Sequence, residues 1–291
     1  MKKIGLLLAA SLTIGGVVPN LSANAENEYM PTLYFNADEN DDARKLKSGT
    51  IYINNSELNE DIKLVAGVFI DDKHELASFV KVKWKCESEF IKFSNIIDPI
   101  SVFGKSPYSE FTKSGGIALS TNADEKFQSV LYNLGLSQDV FTFTGDKSDD
   151  YPLAGFEATI DRAIQPGRYD IHFVTGQRGN GCDILYHINE KDIVEVFPEG
   201  KYAENLNIAV SDRKLGDVNN SGKVDATDAT AILSEYADLS AGKTGSFDIA
   251  QTVSADIDGN GLISSADAAS VLSYYAYLSA GGDLELLDYL N

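Results

Sequence analysis

The sequence predicts two modules: an antiparallel β-sandwich over residues 26–212 and a small helical module over 213–291. Two observations carry this division. Between Lys63 and Val210, runs rich in Val, Ile, Phe and Tyr alternate with polar residues at period 2, separated by Gly, Asn, Asp and Pro turns. From Asp217 the chemistry changes, because a segment is repeated there at an offset of 39 residues.

The N-terminal segment is read first. Lys2 and Lys3 precede an apolar run from Ile4 to Val18, which ends at Ala23-Asn24-Ala25. A basic start, a short apolar centre and small residues at the end describe a secretory signal over residues 1–25. It is too short and wrongly flanked for a membrane span. The expected location is therefore extracellular.

Strands are predicted at Lys63–Asp71, Ala77–Cys86, Gly155–Asp161, Arg168–Val174, Cys182–Ile188, Asp192–Phe197 and Leu206–Val210. The clearest is Ala77–Cys86, with Val80, Val82, Trp84 and Cys86 on one face and Lys81, Lys83 and Lys85 on the other. Strands with one apolar face each pack as two sheets. One helix is predicted within the sandwich, over Asp124–Leu134, where Phe127, Val130, Leu131 and Leu134 fall on one stripe.

Composition excludes some partners. The formal net charge is −20, and removing Lys2 and Lys3 with the leader makes it −22. Such a chain repels nucleic acid and anionic membrane, and suits cation binding or solubility. Cys86 and Cys182 are the two cysteines. In an exported protein they can pair, and two buried thiols fit the pattern equally well. His74, His172 and His187 sit in no catalytic motif, and no nucleophile elbow, zinc-protease helix or phosphate loop occurs. The single tryptophan, Trp84, is predicted to face inward, which leaves only scattered tyrosines (Tyr108, Tyr132, Tyr151) for a sugar-stacking platform.

The repeat is specific. DVNNSGKVDATDATAILSEYADLSAG from Asp217 and DIDGNGLISSADAASVLSYYAYLSAG from Asp256 share 12 of 26 positions without a gap. Each unit is a 12-residue acidic loop followed by a helix. Calcium takes six to eight oxygen ligands at ~2.3–2.6 Å, and such a loop supplies them from positions 1, 3, 5, 7, 9 and 12. In the first loop these are Asp217, Asn219, Ser221, the carbonyl of Lys223, Asp225 and Asp228. In the second they are Asp256, Asp258, Asn260, the carbonyl of Leu262, Ser264 and Asp267. Gly222 and Gly261 stand at position 6, where the loop turns sharply. Two calcium ions are the cofactor expected.

Each following helix has a predicted apolar stripe: Ala229, Ile232, Leu233 and Tyr236 in the first, Ala268, Val271, Leu272 and Tyr275 in the second. Neither approach segment, SDRKLG nor FDIAQTVSA, reads as an entering helix, so each unit is half an EF-hand. After the second unit, Leu284, Leu286, Leu287 and Leu290 form a short apolar tail, read as a clasp over the helices or as part of an interface.

Residues 213–291 resemble a dockerin, the tandem loop-helix module that plugs cellulosome subunits into cohesin domains. The resemblance implies that calcium folds the module and that a helical face binds a cohesin. Its recognition positions fall on Ala226, Thr227, Ser234 and Asp238 in the first repeat, and on Ser265, Ala266, Ser273 and Tyr277 in the second. The N-terminal module is similar to a cohesin. The stretch IKLVAGVFIDDKHELASFVKVKWKCESEFIKF is similar to paired early cohesin strands, and PLAGFEATIDRAIQPGRYDIHFV to a closing hairpin turning at Pro166-Gly167. A cohesin-like jelly roll joined to a dockerin resembles the adaptor scaffoldins of ruminococcal cellulosomes. The expected partners are a dockerin-bearing enzyme or subunit at one end and a cohesin of a larger scaffoldin at the other. The alternative is a carbohydrate-binding module, or a small carbohydrate-active enzyme, carried by a dockerin.

Overall fold

The computed structural model describes residues 30–71, 77–97, 117–123, 128–135, 152–175, 181–187 and 193–290. The signal segment, the Asp124–Phe127 part of the predicted helix, His74, Tyr108 and Tyr151 lie outside them.

Thirteen strands are found among the described residues. They are β1 (Thr32–Ala37), β2 (Arg44–Lys45), β3 (Ile51–Asn54), β4 (Ile62–Asp71), β5 (Ala77–Cys86), β6 (Ile91–Ile97) and β7 (Ile117–Ala123). The remaining six are β8 (Gln128–Gly135), β9 (Ala154–Ile160), β10 (Gly167–Phe173), β11 (Asp183–His187), β12 (Ile193–Val196) and β13 (Leu206–Ser211). One sheet runs β1-β4-β9-β6, all antiparallel. The other follows β12-β11-β5-β10-β13-β3-β2, with β8 on the far side of β5 and β7 beside β8. Its one parallel pair joins β13 to β3.

The inner faces meet as the alternation predicts. Val80, Val82, Trp84 and Cys86 of β5 are buried, as are Leu64, Ala66, Val68 and Ile70 of β4. Aromatic rings cross between the sheets: Trp84 lies 5.4 Å from Phe156, and Phe35 stacks on Phe173 at 4.1 Å. Edge and stacked ring pairs add to area burial, so these contacts pin the two layers together.

Two expectations for the sandwich need correction. Gln128–Gly135 is a strand, not the end of a helix. Val130, Tyr132 and Leu134 also alternate at period 2, and pairing with both β5 and β7 satisfies the backbone as a strand. Pro166-Gly167 does not turn a hairpin, because β9 and β10 belong to different sheets; the turn carries the chain across the sandwich. Lys81, on the polar face of β5, is buried, since β5 is an interior strand and Asp183 on neighbouring β11 accepts from its Nζ at 2.6 Å. Cys86 and Cys182 are both free and buried, and the Cys182 thiol donates to the Lys83 carbonyl.

The helical module holds α1 (Ala226–Ser240), α2 (Ile249–Ala255), α3 (Ser265–Ser279) and α4 (Leu286–Leu290). Helix α2 is a correction: FDIAQTVSA does form an entering helix. It is too short for a sustained period, yet Asp248 accepts from the Gln251 N–H while the Gln251 side chain accepts from the Asp248 N–H. That reciprocal box was the available sequence signal. The apolar stripes also shift. Ala229, Ile232 and Glu235 are buried on α1, and Ala268, Val271 and Tyr274 on α3. Leu233, Leu272 and Tyr275 are 41–49% exposed, because the two helices meet along a narrow i, i+3, i+6 line.

The two modules share a core. Leu46, Tyr52 and Ala209 of the sandwich pack into one cluster with Leu215, Val218, Ile232, Val253, Val271 and Leu286. Helix α2 lies against β13 and β10. Five residues separate Ser211 from Asp217, and Tyr52 Oη donates to the carbonyl of one of them, Arg213, at 2.6 Å. Among the described residues no helix is long and apolar enough to cross a membrane.

Candidate metal centre

The two loops fold alike, and the sequence shows why. In the first, Asp217 accepts the Ser221 N–H on Oδ1 (2.9 Å) and the Gly222 N–H on Oδ2 (2.7 Å). In the second, Asp256 accepts from Asn260 (3.1 Å) and Gly261 (2.8 Å) in the same way. Gly222 and Gly261 sit at φ +82° and +90°, which a side chain resists.

Positions 9 and 12 cap the two helices. Asp225 and Ser264 are the N-caps of α1 and α3. Asp228 Oδ2 accepts from the Asp225 N–H at 3.0 Å, and Asp267 Oδ2 from the Ser264 N–H at 2.8 Å. Their Oδ1 atoms reach back to the Asn219 and Ile257 amides. An aspartate at position 12 is thus the third helical residue of a capping box, which accounts for the short side chain where a glutamate is usual.

The donor set suits a hard divalent cation. Carboxylate oxygens of Asp256, Asp258 and Asp267 lie within 4.8 Å of one another. Asp217, Asp228, Asp256 and Asp267 are each no more than 1% exposed. Burial pushes the Asp228 and Asp256 carboxyls above their ordinary range. Buried carboxylates converging on one point, with oxygen neighbours and no thiol or imidazole, are a calcium-type donor set. The Lys223 carbonyl accepts from Ser221 Oγ, while the Leu262 side chain stands outside, 69% exposed.

Residues 215–274 match the family of the dockerin type I domain. No match was found among the curated proteins. Among solved structures, the chain is similar to a type III cohesin module from the cellulosomal ScaE cell-surface anchoring scaffoldin of Ruminococcus flavefaciens. That match has 12% identity and a TM-score of 0.37, covering 66% of this chain and 92% of that one. A second is the Coh-OlpA-Doc918 complex of Clostridium thermocellum, at 10% identity and TM-score 0.36, covering 62% and 99%. A third is the seventh ScaB type I cohesin from Pseudobacteroides cellulosolvens, at 11% identity and TM-score 0.32, covering 51% and 82%.

Around the segment that matches the dockerin family, the eight positions that the sequence resemblance marks for recognition differ in their freedom. Thr227, Ser234, Ser265, Ala266 and Ser273 are exposed, and Ala226 is half-buried. Asp238 already pairs with Lys243 Nζ at 2.6 Å. Tyr277 stacks on Tyr289 at 5.0 Å, and its Oη accepts from the Asp283 and Leu284 amides. Helix α4 closes over the bundle through buried Leu286 and half-buried Tyr289, so the tail acts as a clasp.

Sequence reasoning missed Glu235. It is 4% exposed, and its carboxylate accepts from Ser246 N–H, Ser246 Oγ and Phe247 N–H, fastening the inter-repeat segment to α1. Burial alone would raise its pKa, but these donors bring it below the usual range. Nothing local to Glu235 in sequence signals this; the partners lie eleven and twelve residues on.

Proposed function

We propose that this chain is a secreted, non-catalytic assembly protein of a cellulosome. The calcium-folded dockerin binds a cohesin on a larger scaffoldin, while the cohesin-like sandwich captures a dockerin-bearing enzyme or subunit. The observation that carries the reading is the pair of loops with the same hydrogen-bond pattern around buried Asp217/Asp228 and Asp256/Asp267, inside the segment matching the dockerin type I family. Each loop holds one calcium ion, through Asp217, Asn219, Ser221, the Lys223 carbonyl, Asp225 and Asp228, and through Asp256, Asp258, Asn260, the Leu262 carbonyl, Ser264 and Asp267.

Calcium binds the folded loops and not the unfolded chain, so it stabilises the module by mass action. It also offsets a charge of −8, from four basic and twelve acidic residues beyond Asp212. A cohesin contacts the outer helix faces, with Ala226, Thr227, Ser234 and Asp238, or Ser265, Ala266, Ser273 and Tyr277, at the contact. The competing reading, a sugar-binding sandwich, loses its one tryptophan: Trp84 is fully buried between the sheets.

The test uses the full chain, because the sandwich and the dockerin share core residues. Immobilised scaffoldin cohesins should retain the protein in calcium and release it in chelator. Asp217→Ala combined with Asp256→Ala should abolish this retention while a dockerin-bearing enzyme still binds the sandwich. Retention that survives chelation would sink the calcium-folding mechanism. Retention on plant polysaccharide gels without any dockerin capture would favour the sugar-binding alternative.

A further inference from the structure

The two loops are alike internally but not in their surroundings. The second lies against the sandwich. Ser48 N–H donates to the Asp258 carbonyl at 3.0 Å, and Ser48 Oγ and Thr50 Oγ1 both donate to the Gly259 carbonyl at 2.8 Å. Arg168 Nη2 donates to Asp256 Oδ2 at 2.7 Å. These contacts surround one residue pair that distinguishes the repeats. Position 4 is Asn220 in the first loop (φ +56°, exposed) and Gly259 in the second (φ +73°, buried). Asparagine tolerates this left-handed conformation. It does not fit at 259: a Cβ there would lie 2.6 Å from Ser48 Oγ and 2.8 Å from Leu46 Cδ1.

We propose that the second loop is a calcium-dependent seam between the modules, in which cation binding and docking of the sandwich support each other. The proposal rests on the calcium reading above. Its physical basis is reciprocal coupling. The sandwich holds the Asp258 and Gly259 carbonyls and the outer oxygen of Asp256, fixing the loop in the shape that presents its ligands. A cation held by Asp256, Asp258 and Asp267 would fix the same backbone for docking. A group that hydrogen-bonds a ligating carboxylate is typically worth ~10–100-fold in metal affinity. Thermodynamic linkage then requires calcium to favour the docked arrangement by the same factor. The first loop has no sandwich contact of this kind among the described residues, so its ion should be indifferent to docking.

Gly259→Asn tests this in the full-length protein, since it installs the residue that the first loop already accommodates and obstructs only the approach of Leu46 and Ser48. Two-site calcium titration calorimetry should show one step weakened about tenfold, the low end of the outer-shell range, and the other unchanged. Trypsin in the presence of calcium should begin to cut after Arg213, which is half-buried and held in the docked arrangement through its carbonyl by Tyr52 and through its guanidinium by the Val218 carbonyl and Asp248. The control Asn220→Gly should change neither readout. Ser48→Ala combined with Thr50→Val removes the same contacts from the sandwich side without altering either loop, and should reproduce both effects. Wild-type calcium steps and wild-type trypsin resistance in Gly259→Asn and in the sandwich-side variant would overturn the seam. So would a change in one readout without the other, because coupling moves both. If the wild-type chain bound no calcium at all, the failure would lie in the calcium reading itself, and the seam would fall with it.

Discussion

Arg168 on β10 and Asp256 at the head of the second loop form an ion pair across 2.7 Å, although 88 residues separate them in the chain. Asp256 is 1% exposed, while the Arg168 side chain keeps about a third of its surface in solvent.

Arg168→Ala therefore removes the charged side-chain partner of a buried carboxylate and leaves it the Asn260 and Gly261 amides. Removing one partner of a fully buried pair costs ~3–5 kcal/mol; partial exposure of the arginine lowers the expectation here to about 1–3 kcal/mol. Urea unfolding in saturating calcium measures it. Arg168→Lys should recover part of the loss, because it restores charge but not the forked donor geometry. A null effect from Arg168→Ala would show that the pair contributes nothing to the fold.

Glu235 gives a pH prediction. Its folded carboxyl titrates below the ordinary value, so its stabilisation is present above the unfolded pKa and lost as pH falls through the folded one. Glu235→Gln should lower stability at pH 7 by about 1–2 kcal/mol, one charge-assisted contact's worth. The difference from wild type should shrink steadily in the acid range below the usual glutamate pKa. A difference independent of pH would argue against the charge as the stabilising element.

Leu286 is the buried point of the clasp, 4% exposed, and its methyl closes on Gly216 just before the first loop. Leu286→Ala should cost about 2–3 kcal/mol, toward the lower end for buried leucine truncation because α4 is a short helix of 5 residues that can relax. Thermal unfolding of the calcium-loaded protein checks this. A shift comparable to that of a surface substitution would mean the tail only rests on the bundle.

Burial pushes the Cys86 and Cys182 thiols up to about 12. At pH 8 the thiolate is then populated about once in 10,000, and the thiolate is the reacting species. Iodoacetamide should leave both unmodified in the native protein and label both after unfolding in urea. Rapid native labelling of either one would contradict the buried environment.

How much of this was legible depends on distance along the chain. The loops were readable because six ligand positions and a turn glycine lie within twelve residues, where geometry dictates spacing. Strand β5 was readable because alternation alone decides which face of it is buried. The stretch Gln128–Leu134 satisfied both periods at once, and only its neighbours β5 and β7 decide between them. Helix α2 was too short for periodicity and announced itself solely through Asp248 and Gln251. The seam was invisible for a simpler reason: Ser48 and Gly259 are 211 residues apart, and nothing in either neighbourhood names the other. What the sequence did hold was the substitution of glycine for asparagine at position 4, a difference whose meaning needs the third dimension.

The short connection after β13 has a mechanical side. Strand β13 runs parallel to β3 and passes directly into the dockerin segment. Under the function proposed above, tension between a partner on one module and a partner on the other would find no extensible tether to absorb it, since only five residues separate Ser211 from Asp217. It must pass across the shared core and through β13, and a load along that strand runs across the β13–β3 hydrogen bonds, which then shear as a set instead of opening one by one. The chain is built less like a cord between two hooks than like a bracket.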